Sequence, residues 1–389
     1  MNKFIASILI LLLSQTIKAQ EGTPIDSTRS LLTNKYIQIE ATQAINDLYN
    51  FEFNRSYRHF LYLKKQYGWH PLPYFMIGLN YWWRILPNTD NTEFDEPFFA
   101  YMDSSIVLAE NIREKYNKVE GAFFLAAAYA FKGRLYSDRG DYGKAAFAGK
   151  NSLKYLDECK GHEELSPELL FGDALFNYYA EWIPENYPIL KPLMIMFPDG
   201  DKELGIQQLK TVARNAFYTR TEAQYYLMRI SYFEEKDYEA SLQLAEYLHQ
   251  TFPKNAYFHR FYARLLYQTG KYDKATLESK SILNRIDSTW AGYEYNSGRY
   301  ASFFLGHINE VRKNYEDSKK YFKLAMEFSE WGNATDMGYY IYSILHLGRI
   351  AEKEEDITNA IAYYEKVKKV TKRKHSANKE ARKKLKELD

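Results

Sequence analysis

The chain has 389 residues, of which 46% are hydrophobic, and its formal net charge is +2. This length and apolar content allow a large buried core, while the near balance of charge gives no support to a nucleic-acid partner. The single cysteine, Cys159, excludes an internal disulfide. Alternating apolar and polar runs bounded by turn residues are scarce, so the sequence favours an all-α fold.

The first residues have the pattern of a secretory signal peptide. Lys3 supplies the basic start, Phe4 to Leu13 is almost wholly apolar, and Ala19 is a small residue at the cleavage point. The apolar run is well short of the roughly 20 residues that span a bilayer, although an uncleaved anchor is the alternative. We predict a signal peptide at 1–19, export to the periplasm or out of a bacterial cell, and a flexible segment at 20–33.

Residues 34–160 predict helical repeats that have drifted from an ideal pattern. Three helix pairs are expected, at about 34–51 with 54–67, at 71–86 with 94–115, and around Gly133 and Ala145. Pro71 suits the first turn of a helix, where the N–H that proline lacks would have no helical partner.

Residues 161–216 predict one further repeat, in which Gly205 is the small residue where two helices meet. Four prolines lie between Pro184 and Pro198, and the residues among them are mostly apolar. Proline interrupts a regular helix. We therefore predict an inserted apolar loop at 184–200 that joins the two helices of this repeat.

The clearest repeats lie at 217–371. A small residue recurs at spacings of 35, 43 and 42, at Ala240, Ala275, Ser318 and Ala360. The residues four and seven positions later return to the same helical face, so Leu244 and Tyr247 are expected to be buried in the first repeat. The turn before each small residue contains Gly, Asn or Asp, which tolerate the left-handed conformation that ends a helix.

These spacings resemble the tetratricopeptide repeat superfamily, whose period is about 34 residues. The resemblance implies an all-α, helix-turn-helix solenoid, a right-handed superhelix, here with one long apolar loop insertion. Residues 172–209, with the motif Gly200-Asp201-Lys202-Glu203-Leu204-Gly205, are also similar to the mitochondrial outer-membrane repeat family linked to inclusion-body clearance. That second resemblance implies the same helical scaffold and brings no catalytic residue with it.

No phosphate-binding glycine loop, zinc-binding helix or nucleophile elbow occurs in the sequence. The acidic run from Asp199 to Glu203 lacks the glycine position and the last glutamate of a calcium loop, so we interpret Asp199 or Asp201 as a helix cap. We predict a protein that is not an enzyme and has no cofactor, no metal and no catalytic residues.

The candidate site is a partner-binding groove lined by the first helix of each repeat. Its predicted residues are Arg134, Arg229, Arg264, His307 and Arg349, with Tyr225, Tyr232 and Tyr267 beside them. Guanidinium groups bind carboxylates through paired hydrogen bonds, so a row of them favours an acidic protein segment or chain terminus. The alternative is that these arginines pair with acids of the adjacent helix.

From Lys366 onward the chain has eleven Lys or Arg and three acids. Because aromatic residues are missing there, we predict a solvated basic helix or tail at 372–389 and no nucleic-acid contact. The predicted function is a non-catalytic exported scaffold for protein or peptide partners. The alternatives are a glycan-binding envelope protein, suggested by the 36 tyrosines, and a membrane-associated scaffold that uses residues 187–197.

Overall fold

The structure is a computed structural model, and it describes residues 30–188, 191 and 198–388. The predicted signal peptide at 1–19 lies outside these residues, and so does most of the apolar segment 187–197. Across the described ranges the secondary structure is helical, with seventeen α-helices, short 3₁₀ turns and no strand. None of the described helices has both the length and the apolar character needed to cross a bilayer. The predicted all-α, tetratricopeptide-like helical architecture is confirmed.

The chain forms two compact units that divide after Glu235. The described helices of the N-terminal unit are α1 (Lys35–Tyr49), α2 (Phe53–Gln66), α3 (Pro71–Ile85), α4 (Asp95–Lys115), α5 (Lys118–Asp138), α6 (Tyr142–Asp157), α7 (Leu170–Asn186), α8 (Lys202–Asn215) and α9 (Arg220–Phe233). Two 3₁₀ turns, Glu163–Leu165 and Pro167–Leu169, precede α7. Consecutive helices pack together from α1 to α6 and again from α7 to α9, as expected of helix-turn-helix repeats.

The C-terminal unit begins at Lys236 and contains eight described helices. They are α10 (Tyr238–Thr251), α11 (Ala256–Gln268), α12 (Tyr272–Asp287), α13 (Tyr295–Val311), α14 (Tyr315–Trp331), α15 (Gly338–Lys353), α16 (Ile357–Val370) and α17 (Ser376–Leu388). Each helix packs on the next, and α13 also packs on both α11 and α15. The first helices of successive repeats therefore form one continuous layer. The predicted repeat block at 217–371 begins one helix earlier than this unit does.

The turns inside the repeats work differently from the prediction. The left-handed residues are Lys236, Gly270, Lys313 and Glu355, with φ of 58°, 73°, 59° and 61°. Only one of them is glycine, and none is Asn or Asp. The Asn or Asp comes one residue later and caps the second helix, as Asp237 does by accepting a hydrogen bond from the Ala240 N–H at 3.0 Å. A side-chain oxygen at that position satisfies a backbone donor that the helix itself cannot.

Three of the four predicted small residues lie where paired helices approach closely, and the fourth is displaced by one position. Ala275, Ser318 and Ala360 are fully buried, as predicted. Ala240 is only half-buried, and its neighbour Ser241 is fully buried instead. The inward face of α10 is therefore shifted by one residue.

The shift also moves the buried stripe of α10. Ala245 and Leu248 are buried, whereas the predicted Tyr247 is 50% exposed and Leu244 is half-buried. The prediction for Leu244 and Tyr247 was wrong because two small residues stand side by side in the sequence, and the spacing between repeats did not distinguish them.

The end of the predicted flexible segment is held against the N-terminal unit. Leu31 and Leu32 are buried, and their backbone N–H groups donate to Glu120 Oε1 at 2.9 and 2.7 Å. His70 Nε2 lies 3.1 Å from the same carboxylate oxygen. A buried carboxylate that accepts several hydrogen bonds fixes the chain that supplies them, so residues 31 and 32 are part of the folded unit.

The predicted loop at 184–200 is shorter than expected at its start. Helix α7 continues through Pro184 and ends at Asn186, with Tyr187 as its C-cap. Pro184 lies in the last turn and removes one hydrogen bond, the one to the Ala180 carbonyl, so the interruption falls where the helix ends two residues later. At the far end, Asp201 caps α8 by accepting a hydrogen bond from the Leu204 N–H at 2.8 Å, as the sequence predicted.

The basic C-terminus is a packed helix. Ala377, Ala381 and Leu385 of α17 are buried in the same apolar cluster as Tyr364 and Val367 of α16. The lysines and arginines take the opposite face. The helix thus covers the apolar side of the last repeat, which would otherwise meet water.

Candidate functional site

The residues predicted to line one groove lie in two different units. Arg134, Tyr225, Arg229 and Tyr232 belong to the N-terminal unit, whereas Arg264, Tyr267, His307 and Arg349 belong to the C-terminal unit.

In the N-terminal unit, Arg134 and Tyr225 are part of the interior. Tyr225 is fully buried, and its hydroxyl accepts a hydrogen bond from the Arg134 guanidinium at 3.0 Å. The same guanidinium donates to the Tyr226 hydroxyl at 3.0 Å and lies 4.6 Å from the Trp82 ring centroid. An arginine that bridges two helices and covers an aromatic ring holds those helices together. Tyr225 therefore has no surface to offer a partner.

Arg229 is affected by the register of the first repeat. With Ser241 as the small residue, the position that corresponds to Arg264 is Ile230, which is buried. The Arg229 guanidinium lies over the Phe233 ring at 4.9 Å and over the Tyr225 ring at 5.6 Å. Tyr232 is half-buried on the same helix. Arg229 is thus one residue away from the row to which the sequence assigned it.

The C-terminal unit contains a chain of hydrogen bonds across its layer of first helices. Tyr267 of α11 contacts His307 of α13 at 3.0 Å, and its ring stacks on Phe304 at 4.4 Å. Glu310 of α13 accepts hydrogen bonds from His346 Nδ1 at 2.5 Å and from Lys353 Nζ at 3.1 Å. These contacts fix the spacing of α11, α13 and α15 and so set the shape of the surface that they share.

Ionisation within this chain follows from burial and charge. Although burial opposes ionisation of Glu310, hydrogen bonds from His346 and Lys353 lower its pKa to about 2. Burial and the neighbouring His346 lower the pKa of His307. The layer therefore contains a carboxylate and a neutral His307 at neutral pH.

Arg349 pairs with an acid of a neighbouring helix, which was the alternative to partner binding in the sequence analysis. Its guanidinium donates to both Glu380 oxygens of α17 at 2.7 Å each. Glu380 therefore accepts the pair of hydrogen bonds that the Arg349 guanidinium would otherwise donate to a partner's carboxylate. Arg349 thus helps to hold the last helix in place.

Arg264 lies in an aromatic setting on the layer of first helices. The guanidinium groups of Arg260 and Arg264, one turn apart on α11, lie 5.6 and 5.5 Å from the Tyr300 ring. Tyr300 in turn lies 4.7 Å from Tyr339 of α15, measured between ring centroids. All four side chains are half-buried. We call Arg260, Arg264, Tyr300 and Tyr339 the arginine–tyrosine surface. It carries two positive charges and two aromatic faces.

The C-terminal unit also contains a polar cluster that the repeat pattern did not predict. His249, His259 and Glu278 come from three helices, and their ligand atoms all lie within 4.8 Å of one another. His259 Nε2 is 2.8 Å from Glu278 Oε2, and the two imidazole rings stack at 4.3 Å. Their spacing of 10 and 19 residues matches no metal motif, so the sequence held no signal for them.

The surroundings of this cluster favour hydrogen bonding over metal binding. The other ring nitrogen of His259 is 2.9 Å from the Tyr293 hydroxyl, and the Arg285 guanidinium lies 3.4 Å from that nitrogen. Burial lowers the pKa of His259 to about 4. A neutral His259 then donates its Nε2–H to Glu278, whose pKa is lowered by hydrogen bonds from His249 and His259. A bound cation would also have to overcome repulsion by Arg285.

One segment of the chain matches a known family. Residues 232–285 match the tetratricopeptide repeat. This segment covers α10, α11 and most of α12, the part where the near-ideal spacing of 35 residues occurs. No curated protein matches the chain. The family match and the helical layers together support a tetratricopeptide-type scaffold of the kind that mediates protein interactions.

Proposed function

We propose that this protein is an exported, non-catalytic scaffold that binds an acidic segment of a protein partner on its arginine–tyrosine surface. The proposal rests on the position of Arg260 and Arg264, which lie one turn apart on α11 with both guanidinium groups beside the Tyr300 ring. The tetratricopeptide repeat match supports a protein as the partner. Export rests on the predicted signal peptide at 1–19 and stays a prediction.

The chemistry of the surface favours an acidic peptide with an aromatic or aliphatic side chain. A guanidinium group binds a carboxylate through two parallel hydrogen bonds, and a tyrosine ring offers apolar area with little side-chain entropy to lose. Because Tyr267, His307 and Glu310 brace the three helices beneath, the surface is largely formed before a partner arrives.

Two alternatives have less support. The aromatic pair of Tyr300 and Tyr339 would also suit a sugar ring, but the two adjacent guanidinium groups favour a ligand with negative charge. Membrane contact through residues 187–197 stays a prediction, since most of those residues lie outside the described ranges. The similarity of residues 172–209 to the mitochondrial outer-membrane repeat family likewise stays a prediction.

The test is binding of a short fluorescein-labelled peptide rich in glutamate, measured by fluorescence anisotropy on the full chain. The double variant Arg260→Glu/Arg264→Glu should weaken binding by about tenfold or more, since two attractive charges become repulsive. The matched control is Arg312→Glu/Lys313→Glu, which reverses two exposed charges in the turn before α14. Circular dichroism checks that each variant is folded.

Two further results are expected if the arginine–tyrosine surface is the binding site. The same peptide with glutamine in place of glutamate should bind much more weakly, and added salt should weaken binding of the acidic form. Equal binding of the two peptides, or equal loss in both double variants, would exclude the arginine–tyrosine surface as the site.

A further inference from the structure

The N-terminal unit contains a cavity of about 150 Å³. Helices α3, α5, α6, α7 and α9 supply its wall, which is apolar over most of its extent. Aromatic rings dominate, among them Phe75, Phe123, Phe131, Phe171 and Phe176. These five side chains are only half-buried although they face into the unit, so the cavity opens toward solvent. None of its lining residues belongs to the arginine–tyrosine surface.

Two polar groups on this wall have unused hydrogen-bonding capacity. Glu222 Oε1 accepts hydrogen bonds from Trp83 Nε1 at 2.8 Å and from the Tyr49 hydroxyl at 3.3 Å. Its other oxygen, Oε2, has no hydrogen-bond partner within the described residues, and neither has the Tyr218 hydroxyl. The two residues are only 3% and 6% exposed. A buried polar atom left without a partner destabilises the folded protein, and a ligand that supplies the missing partner would recover that loss.

The shape and chemistry of the cavity together select a ligand class. An apolar protein cavity of about 150 Å³ is large enough for a benzene ring. Aromatic walls favour offset or edge-on contact with a second ring. Glu222 Oε2 can accept a hydrogen bond, and the Tyr218 hydroxyl can donate or accept one. A ligand with a hydroxyl group would satisfy both.

We propose that the N-terminal unit binds a small ring-shaped apolar molecule that has one hydroxyl group, with the ring against the phenylalanines and the hydroxyl donated to Glu222 Oε2. The site shares no residue with the arginine–tyrosine surface of the C-terminal unit and would serve a scaffold as a place to load or sense a small phenol-like compound. Either outcome of the peptide experiment leaves this proposal unaffected.

The experiment uses phenol as the probe and anisole as its matched control, in isothermal titration calorimetry with the full chain. Anisole has the same ring, but a methyl group replaces the hydroxyl proton. At pH 8, above the pKa of the Glu222 carboxyl, phenol should bind at least about tenfold more tightly than anisole, because only phenol can donate to the ionised carboxylate. This comparison needs no variant and so cannot fail through misfolding.

Two variants then locate the site. Ala130→Leu adds bulk at a residue that lines the cavity, and it should abolish phenol binding while the protein stays folded. The control is Ala100→Leu, the same change at an exposed position of α4, which should leave binding unchanged. In Glu222→Gln the preference for phenol over anisole should fall to about threefold or less, because the amide can still accept from Trp83 but offers N–H groups where Oε2 was.

Three results would overturn the proposal. Equal affinity for phenol and anisole in the natural chain would show that no polar group in the cavity recognises the hydroxyl. Binding of neither probe would show that the chain's own side chains already fill the space. Phenol binding that survives Ala130→Leu in a folded protein would place the probe somewhere else.

Discussion

Gly205 of α8 lies against the backbone of Tyr178 in α7. A Cβ atom placed on Gly205 would stand 2.6 Å from the Tyr178 nitrogen and 2.7 Å from the Ala174 carbonyl oxygen. Neither backbone atom can move without displacing α7. The small residue predicted at this position is thus required by the distance between the two helices.

Gly205→Ala should lower the free energy of unfolding of the N-terminal unit by about 1–3 kcal/mol, even though alanine is the better helix former. The matched control is Gly172→Ala on α7. There the new Cβ would meet only the end of the Leu156 side chain, which can rotate away. Urea unfolding followed by tryptophan fluorescence should show a clear loss for the first variant and a change within about 1 kcal/mol for the second. Similar values for the two would mean that α7 and α8 do not approach so closely.

The register of α10 can be tested in the same way. Ser241→Leu places a large side chain at a fully buried position and should cost about 1–3 kcal/mol, whereas Ala240→Leu adds the same bulk at a half-buried one and should be tolerated within about 1 kcal/mol. Thermal unfolding of both variants decides between them. If Ala240→Leu proved the more damaging change, the register predicted from repeat spacing would be restored.

The helical architecture could be predicted from the sequence because small residues recur at a fixed distance, and this distance reflects the geometry of two helices in contact. The exact register of one repeat could not be predicted from the spacing alone, since Ala240 and Ser241 are both small residues. The helix cap resolves the ambiguity. The small residue follows the cap by four positions at Asp141 and Ala145, at Asp201 and Gly205, at Asn314 and Ser318, and at Asp356 and Ala360. Counting from Asp237 gives Ser241.

The candidate site was harder to predict than the fold. The spacing of repeats correctly placed Arg264 and Arg349 on first helices, but it carried no information on neighbours distant in sequence. Glu380 follows Arg349 by 31 residues and occupies its guanidinium group. Tyr225 is buried by contacts with α3 and α5 that no periodicity in α9 could reveal. Pairing between separate helices therefore depends on the tertiary fold and cannot be predicted from the spacing of repeats.

The basic C-terminal helix should be needed for the stability of the C-terminal unit. Ala381→Asp would bury a carboxylate in the cluster that contains Tyr364 and Val367, so we expect a loss of several kcal/mol, on the order of what burial of an unpaired charge costs. Lys383→Asp changes charge on the same helix at a side chain that is 76% exposed, and it should be nearly neutral. Limited proteolysis of α17 together with thermal unfolding would measure both effects. A fully solvated tail would respond to the two changes alike.

The N-terminal unit should become more stable as the pH falls from about 8 to about 5.5. Burial raises the pKa of Glu222 to about 7, although Trp83 and Arg134 oppose the shift. In the unfolded chain this carboxyl has a pKa near 4.3, so over this window the folded state holds the proton that the unfolded state has lost. The free energy of unfolding then rises by up to about 1.4 kcal/mol per pH unit for each such group.

Burial also raises the pKa of Glu234 to about 7 and that of Asp173 to about 6, so these groups contribute with the same sign. In the C-terminal unit the lowered pKa values act in the opposite direction, those of His259 and His307 below the unfolded histidine pKa near 6.5 and those of Glu278 and Glu310 below about 4.3. Glu222→Gln should therefore flatten the dependence on pH without removing it, whereas Glu164→Gln, at an exposed position, should leave the curve as it is. Urea unfolding at several pH values, followed by tryptophan fluorescence to which the buried Trp82 and Trp83 contribute, measures the slope. A slope that Glu222→Gln leaves unchanged would show that this carboxyl keeps an ordinary pKa in the folded protein.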